Sequence, residues 1–387
     1  MATYKPPLAV LIGFIGKFPV AGMTLYNLHY IVGLQELGYE VHYVERQNRP
    51  QECYDPSIDE FTDNPGYALR YLERVLPRFG IPPERCSFID SGDHCHCSGW
   101  DGLRNALVHS DFALTLADNT WFDELERCPR RAFVDGDPLF TQVAMLEGEP
   151  VISTAIEHYD ILFTYGVRMG MADCTIPMAN RTWFPTRPVV ATRLWDPTPA
   201  VGPLPLTTVM NWSAGKDFSY DGVVYGHKNR EFERFIDLPR MTARRFVLAA
   251  GGPAPKARMR AHGWQLADPL DKTGTIESYQ TFIADSFGDF GIAKHAYVAS
   301  HSGWFSDRST CYLAAGRPVL HQETGFSDWL PTGEGIFPFS TVDDVLVALE
   351  ELDANYERHA EAARRIAEEH FEASKVVGRM LDEAGFR

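Results

Sequence analysis

The 387-residue sequence predicts an α/β chain built as two doubly wound domains in series, followed by a helical tail. Three observations carry that expectation. Short continuous apolar runs alternate with amphipathic stretches of helical length, the mark of parallel strands buried on both faces and joined by crossover helices. The alternation stops between Thr175 and Leu206, where seven prolines accumulate, and then resumes. From Val342 onward apolar residues such as Leu346, Leu349, Leu352, Ile366 and Leu381 recur within a strongly charged, helical stretch.

In chain order, Leu8 to Ile12 is the first buried strand, and Gly13, Gly16 and Gly22 punctuate the loop after it. Met23 to Leu37 places Leu25, Leu28, Ile31, Val32 and Leu34 on one helical face, with Gly38 at the C-terminal cap. Val41 to Val44 is the second strand, and further strands are expected at Cys86 to Ile89, Phe112 to Leu116, Ala132 to Val134 and Ile161 to Tyr165. After the prolines, strands are expected at Thr207 to Met210, Phe246 to Ala249, Tyr297 to Ala299, Pro318 to His321 and Ile336 to Pro338. Helices are expected near Glu231, at Ile276 to Ala284 and at Ser309 to Ala314. Each half is thus a Rossmann-like series of βαβ units.

Composition narrows the function classes. With 45% hydrophobic and 12% aromatic residues the chain is globular, and 36 basic against 52 acidic residues give a net charge of −16. That field repels phosphate backbones, and no basic patch offsets it, which argues against nucleic acid as a partner. The most apolar N-terminal stretch, Leu8 to Gly16, is too short to span a membrane. Seven scattered cysteines suit reduced thiols in a cytoplasm better than a disulfide framework.

Ligands of open α/β sheets bind beyond the carboxyl ends of the strands, so those loops hold the candidates. The first loop, with Gly13, Gly16, Lys17 and Gly22, would admit a ligand close to the backbone. It has neither the Walker nor the GxGxxG spacing, and a tight turn accounts for its glycines about as well. Later strands end in Asp90, Asp93 and His94, in Asp118 and Asn119, and in Asp135 and Asp137. This rim of carboxylates suits a general base, although Asp and Asn also cap helices and start turns. In DHCHCSGW, Asp93 to Trp100, an extended strand puts Cys95 and Cys97 on one face and His94 and His96 on the other. No second ligand pair completes a metal site.

The densest signal runs from Ser300 to Gly335. A loop with Ser302 and Gly303 leads into a helix opening near Asp307, whose free N–H groups and the Arg308 fork suit phosphate. The next strand delivers Glu323, Thr324 and Gly325 to the same edge. The alternative has Asp307 as an ordinary helix cap paired with Arg308.

This segment and the two-domain layout resemble the GT-B superfamily of glycosyltransferases, in particular bacterial proteins with an SGWFSDRSxCYLAAGRPV-type stretch. The match is densest from Tyr279 to Phe339. His301, Gly303 and Trp304 also resemble the HCGW opening of plant-type natural-product members. The sequence departs from retaining members, which carry two glutamates eight positions apart where Gly303 and Cys311 stand here.

The resemblance implies two Rossmann-like domains facing a cleft: an acceptor domain over 1–175, a connector over 176–205, a nucleotide-sugar domain over 206–350, and helices over 351–387 that cross back to the first domain. It implies transfer of a sugar from a UDP or TDP donor to an acceptor hydroxyl or amine. Ser302, Gly303, Arg308, Glu323, Thr324 and Gly325 would bind the donor, Lys216 and Lys228 its diphosphate, and Gly251 and Gly252 would pass near the base. Asp137, then Asp118 and His94, are the candidate bases, and the scheme requires neither a metal nor a cofactor beyond the nucleotide sugar. The partners are then a nucleotide sugar and an unidentified acceptor, and a homo-oligomer is compatible with the sequence. A non-catalytic binding or auxiliary protein and a nucleotide-sugar epimerase of the same fold are the competing readings.

Overall fold

The computed structural model describes residues 6–118, 120–213 and 215–387. They form two compact units. One comprises the chain up to Thr164 together with Met178–Ala191 and Ala373–Arg387, and the other comprises Tyr165–Pro177 and Thr192–Glu372. The chain therefore passes between the units four times, and the proline-rich stretch is divided between them.

The first unit is built on strands β1 (Leu8–Ile12), β2 (Glu40–Arg46), β3 (Cys86–Ile89), β4 (Cys95–Cys97), β5 (Phe112–Leu116), β6 (Arg131–Asp135), β7 (Ile161–Thr164) and β8 (Phe184–Pro185). Their order in the sheet is β8-β7-β6-β5-β1-β2-β3-β4, parallel except for β4, which returns antiparallel against β3. The strand order reverses between β1 and β5, and ligand crevices of open sheets form at such switch points. Helix α1 (Ala21–Glu36) is buried along most of its length. At its centre a Cβ on Gly33 would stand 2.9 Å from the Ala373 carbonyl carbon, so glycine lets the helix Ala373–Glu383 approach and joins the chain's end to this unit.

The second unit carries β9 (Leu206–Asn211), β10 (Phe246–Gly251), β11 (Gln265–Ala267), β12 (Gly288–Gly291), β13 (Val319–Gln322) and β14 (Ile336–Phe339). Their order is β11-β10-β9-β12-β13-β14, all parallel, and the switch point falls between β9 and β12. One face is aromatic: Phe232, Phe235, Trp264 and Phe290 pack together, and Phe290 stacks on Phe339 with ring centroids 5.2 Å apart.

One expected strand is a correction. Tyr297 to Ala299 lies in the helix His295–Ala299, and the strand in that place is β12, Gly-Asp-Phe-Gly. Two glycines and an aspartate oppose strand formation locally. They are tolerated because a Cβ on Gly288 would meet the Pro318 carbonyl oxygen at 2.5 Å, and because Asp289 has a buried partner described below. Among the described residues no helix is long and apolar enough to cross a membrane.

Candidate functional site

In the first unit, the loop after β1 is closed by its own neighbours. Ile15 donates its amide to the Tyr43 hydroxyl at 2.9 Å, and the amides of Gly16 and Lys17 donate to the two Glu45 oxygens at 2.7 and 2.9 Å. Tyr43 donates to Glu45 as well, at 2.7 Å. Burial raises the Glu45 carboxyl, and these donors oppose that rise. The N–H groups that the glycine pattern offered to a ligand are thus engaged by β2. The glycines serve packing: a Cβ on Gly13 would stand 2.0 Å from Asn27 Oδ1, and one on Gly16 3.0 Å from Leu72, while Gly22 has open space.

Lys17 is fully buried. Its ammonium bonds Asp118 and lies 3.6 Å from Glu52. Burial opposes its charge, but Asp118 and Glu52 outweigh burial and hold it above its ordinary value. Asp118, which also accepts from the Thr120 hydroxyl at 2.8 Å, is a carboxylate matched by a buried cation at the β1–β5 switch point. Its neighbour Asn119 lies outside the described residues.

The other two candidate bases differ. Asp135 is buried and accepts from Thr141, Gln142, Thr164 and the Asp137 amide, so it anchors the end of β6, and the half-buried Asp137 follows it on the rim. His94 is largely exposed, its Nδ1 3.2 Å from Asp90. His96, within β4, meets the same carboxylate at 2.8 Å, while His94 precedes the strand. Asp118 and Asp137 follow adjacent strands, whereas β3 stands three strands from β5, about 14 Å at normal spacing.

In the second unit the helix α2 (Asp307–Ala314) opens beside β12. Arg308 is buried and turned into the domain. Its Nε and Nη2 reach Asp289 at 3.0–3.3 Å and its Nη1 donates to the Val209 carbonyl at 3.1 Å. Ser309 adds a 2.6 Å bond to the same wholly buried Asp289. Burial opposes the Arg308 charge, but Asp289 outweighs burial and holds it above its ordinary value. The fork expected to face phosphate therefore ties α2 to the sheet. Asp307 opens the helix without a side-chain cap bond, so the cap expected of it is not formed, and burial raises its carboxyl.

Lys228 has no such commitment. It opens the short helix Lys228–Phe232 at the β9–β12 switch point, half-buried. Among the described residues it makes no ion pair or hydrogen bond. Burial, with Arg308 and Lys294 nearby, pushes its ammonium down to about 7. Beside this group stands His321, fully buried, its Nδ1 2.8 Å from the Gln322 carbonyl and its Nε2 without a partner among the described residues. Burial pushes it down to about 3, so the ring is neutral. Lys216, by contrast, is exposed and makes no ion pair among the described residues.

The remaining predicted residues divide into edge and frame. Glu323 is half-buried at the end of β13, with one oxygen accepting the Gly325 amide at 2.5 Å. Ser302 and Gly303 are buried and bonded into the frame: the Ser302 carbonyl accepts from the Arg168 amide, and the Gly303 amide donates to the Thr324 carbonyl at 2.7 Å. Thr324 in turn donates to the Trp304 carbonyl. Gly303 and Gly325 both have positive φ, and a Cβ on either would lie 2.6–2.7 Å from the Arg168 side chain. Arg168 is held by Asp173 at 2.6 Å and Asp328 at 3.0 Å. Gly252, with φ +69°, packs against Asn211 Oδ1, whereas Gly251 before it has room. Asp289, Lys294, His321, Arg168 and Glu45 were not singled out from sequence. None of the five carried a local signal, because each acquires its partners only in the fold.

No family model matches the sequence, and no curated protein sequence matches it. Solved structures do. An alpha-glucosyltransferase in complex with UDP aligns with a TM-score of 0.60 at 11% identity, over 98% of this chain and 100% of that one. Anabaena HepE in complex with UDP and glucose aligns at 0.53 and 9% identity, over 98% and 99%. Sucrose-phosphate synthase from Thermosynechococcus elongatus aligns at 0.51 and 11% identity, over 98% and 99%. Over nearly its whole length, the chain has the GT-B glycosyltransferase fold.

Proposed function

We propose that the protein transfers a sugar from a nucleotide-diphosphate donor to an acceptor hydroxyl or amine. The observation that carries this reading is Lys228: a half-buried ammonium at the switch point, lowered by burial to about 7 and making no ion pair with a carboxylate among the described residues. Breaking the bond between sugar and phosphate leaves negative charge on the diphosphate. A preplaced cation in a partly desolvated site stabilises that charge most in the transition state. Lys228 supplies it, with Lys294 and Arg308 adding to the field. Glu323 accepts from a hydroxyl of the donor, and Asp137 on the first domain takes the acceptor proton, since Asp118 is already matched by Lys17. The charge neutralisation needs no metal, and seven free thiols suit a cytoplasmic enzyme. The proteins of like fold that were solved with UDP support a uridine nucleotide first.

One observation favours a second reading. The Arg308 fork is engaged by Asp289 and the Val209 carbonyl rather than left to meet a diphosphate, which suits a domain that binds nucleotide without turning it over. Thermal-shift titration with UDP, TDP, ADP and GDP, followed by assay of nucleotide release from UDP- and TDP-sugars with cell extract as acceptor, separates the two. A rise in melting temperature with release supports transfer, and a rise without release supports the binding protein. No rise with any diphosphate overturns the donor site.

A further inference from the structure

The first domain carries a pocket of about 430 Å³ whose lining includes neither the donor-site residues nor Asp137, and it lies within the size range of small-molecule sites. Trp100 and Trp121 line it, and both indoles are fixed. Trp100 donates Nε1 to the Asp93 carbonyl at 3.1 Å and lies 5.2 Å from the Arg104 guanidinium carbon, while Trp121 stacks on His158 with centroids 4.0 Å apart. Rings held in place lose little freedom when a ligand stacks on them. The polar wall consists of two ion pairs, Arg46 with Asp93 at 2.8 Å and Arg104 with Glu124 at 3.0 Å. Each pair sets a donor beside an acceptor, and the buried Arg104 Nε has no hydrogen-bond partner among the described residues.

We propose that this pocket binds a neutral saccharide ring, the acceptor of the transfer. A sugar hydroxyl both donates and accepts, so it meets an arginine and a carboxylate together, and the C–H face of the ring packs on indole. A third carboxylate, Asp123, leaves the lining with an excess of one negative charge, on a chain of charge −16. Phosphorylated and uronic sugars are therefore disfavoured. The assignment of the ring as acceptor rests on the glycosyl-transfer reading, but its binding does not.

The test uses the full chain without nucleotide, titrated with methyl glucoside, galactoside and mannoside and with glucuronate. Binding is followed by tryptophan fluorescence and saturation-transfer NMR. At least one neutral methyl glycoside is expected to bind, with glucuronate weaker. Trp100→Ala and Trp121→Ala should each weaken it about fivefold or more, Trp100→Phe should recover part of the loss, and UDP affinity by calorimetry should stay unchanged. No binding by any glycoside, binding indifferent to both alanine variants, or tighter binding of glucuronate would overturn the proposal. If an alanine variant melts early, Glu124→Gln, which keeps the indoles, must give the weakening instead, and unchanged binding there overturns it. Absence of UDP binding by the wild type would remove the donor reading while the saccharide titration still decides the pocket.

Discussion

Replacing Lys228 by Met should make the free protein more stable and its nucleotide binding worse. In the folded state burial, with the charges of Arg308 and Lys294 adding to it, pushes the half-buried ammonium from an ordinary value of 10.5 down to about 7. Below pH 7 both folded and unfolded chains carry the proton, and the folded state bears the cost of that charge. Between pH 7 and 10.5 the unfolded chain binds more protons, so stability rises with pH across that window as the cost is relieved. Partial exposure screens the effect, which leaves on the order of 1 kcal/mol. Lys228→Met should therefore raise stability by about 1 kcal/mol at pH 6, with the gain fading toward pH 10. Toward UDP the same change removes a charge-assisted contact of about 1.5–3 kcal/mol, an affinity loss of roughly 10- to 150-fold. Urea denaturation at pH 6 and 9 and calorimetry with UDP read both effects. At pH 8 the wild type should also take up protons on binding, seen as a dependence of the heat on buffer ionisation. A variant less stable at pH 6 that binds UDP as tightly as wild type would refute the reasoning on both counts.

Arg308→Ala should cost about 3–5 kcal/mol in urea denaturation, because it leaves Asp289 buried and unpaired, and any loss of UDP binding should follow unfolding. Gly252→Ala should cost about 1–2 kcal/mol, from its positive φ and the 2.5 Å approach of a Cβ to Asn211. Gly251→Ala, one residue earlier in open space, should stay within about 1 kcal/mol, and thermal melts of the pair compare them directly. Asp90→Asn should cost about 1 kcal/mol at pH 7. Burial opposes the Asp90 charge, but His96 and the His94 and Gly92 amides outweigh it and draw the carboxyl down to about 2. Its stabilisation is present above pH 4 and lost between pH 4 and 2, so the two proteins should converge in acid when their urea midpoints are compared.

The elements legible from sequence are those whose local pattern and tertiary role agree. Leu8–Ile12 and Ile276–Ala284 have the expected bounds because an uninterrupted apolar run and a threonine-capped amphipathic turn suit what surrounds them. Strand β12 was illegible because its stability is non-local: the Asp289 carboxylate is meaningful only once Arg308, nineteen positions on, has closed over it. The same holds for the site. Sequence shows Arg308 beside a serine loop but not which way its fork points, and a lysine at 228 reads like the one at 216 until burial separates them. The glycines at 13, 16, 303 and 325 look like room for a ligand. Each instead makes room for a side chain or an amide bond of the protein, except where Glu323 and Lys228 remain at the edge.

The buried Asp289–Arg308 pair gives the switch point its electrostatic character. Taken alone, replacing such a pair by apolar residues is often neutral or stabilising, so the pair is weak evidence for stability. Its placement next to Lys228 supplies another reason. Burial does most to lower the Lys228 ammonium; a guanidinium fixed from below cannot swing out, so its positive field, partly offset by Asp307 and Asp289, adds to that in the free protein, as does Lys294. Asp289 is engaged by Arg308 and Ser309, and neither it nor Asp307 makes an ion pair with Lys228 among the described residues, although the charge of each favours the ammonium. The free domain thus holds an ammonium that an incoming anion relieves, on a chain whose overall charge of −16 would otherwise turn that anion away. Selectivity follows from the geometry. A ligand gains only if its negative charge reaches Lys228 itself, so a diphosphate should be distinguished from a nucleoside by the full Lys228 contact, and Lys228→Met should erase most of that difference.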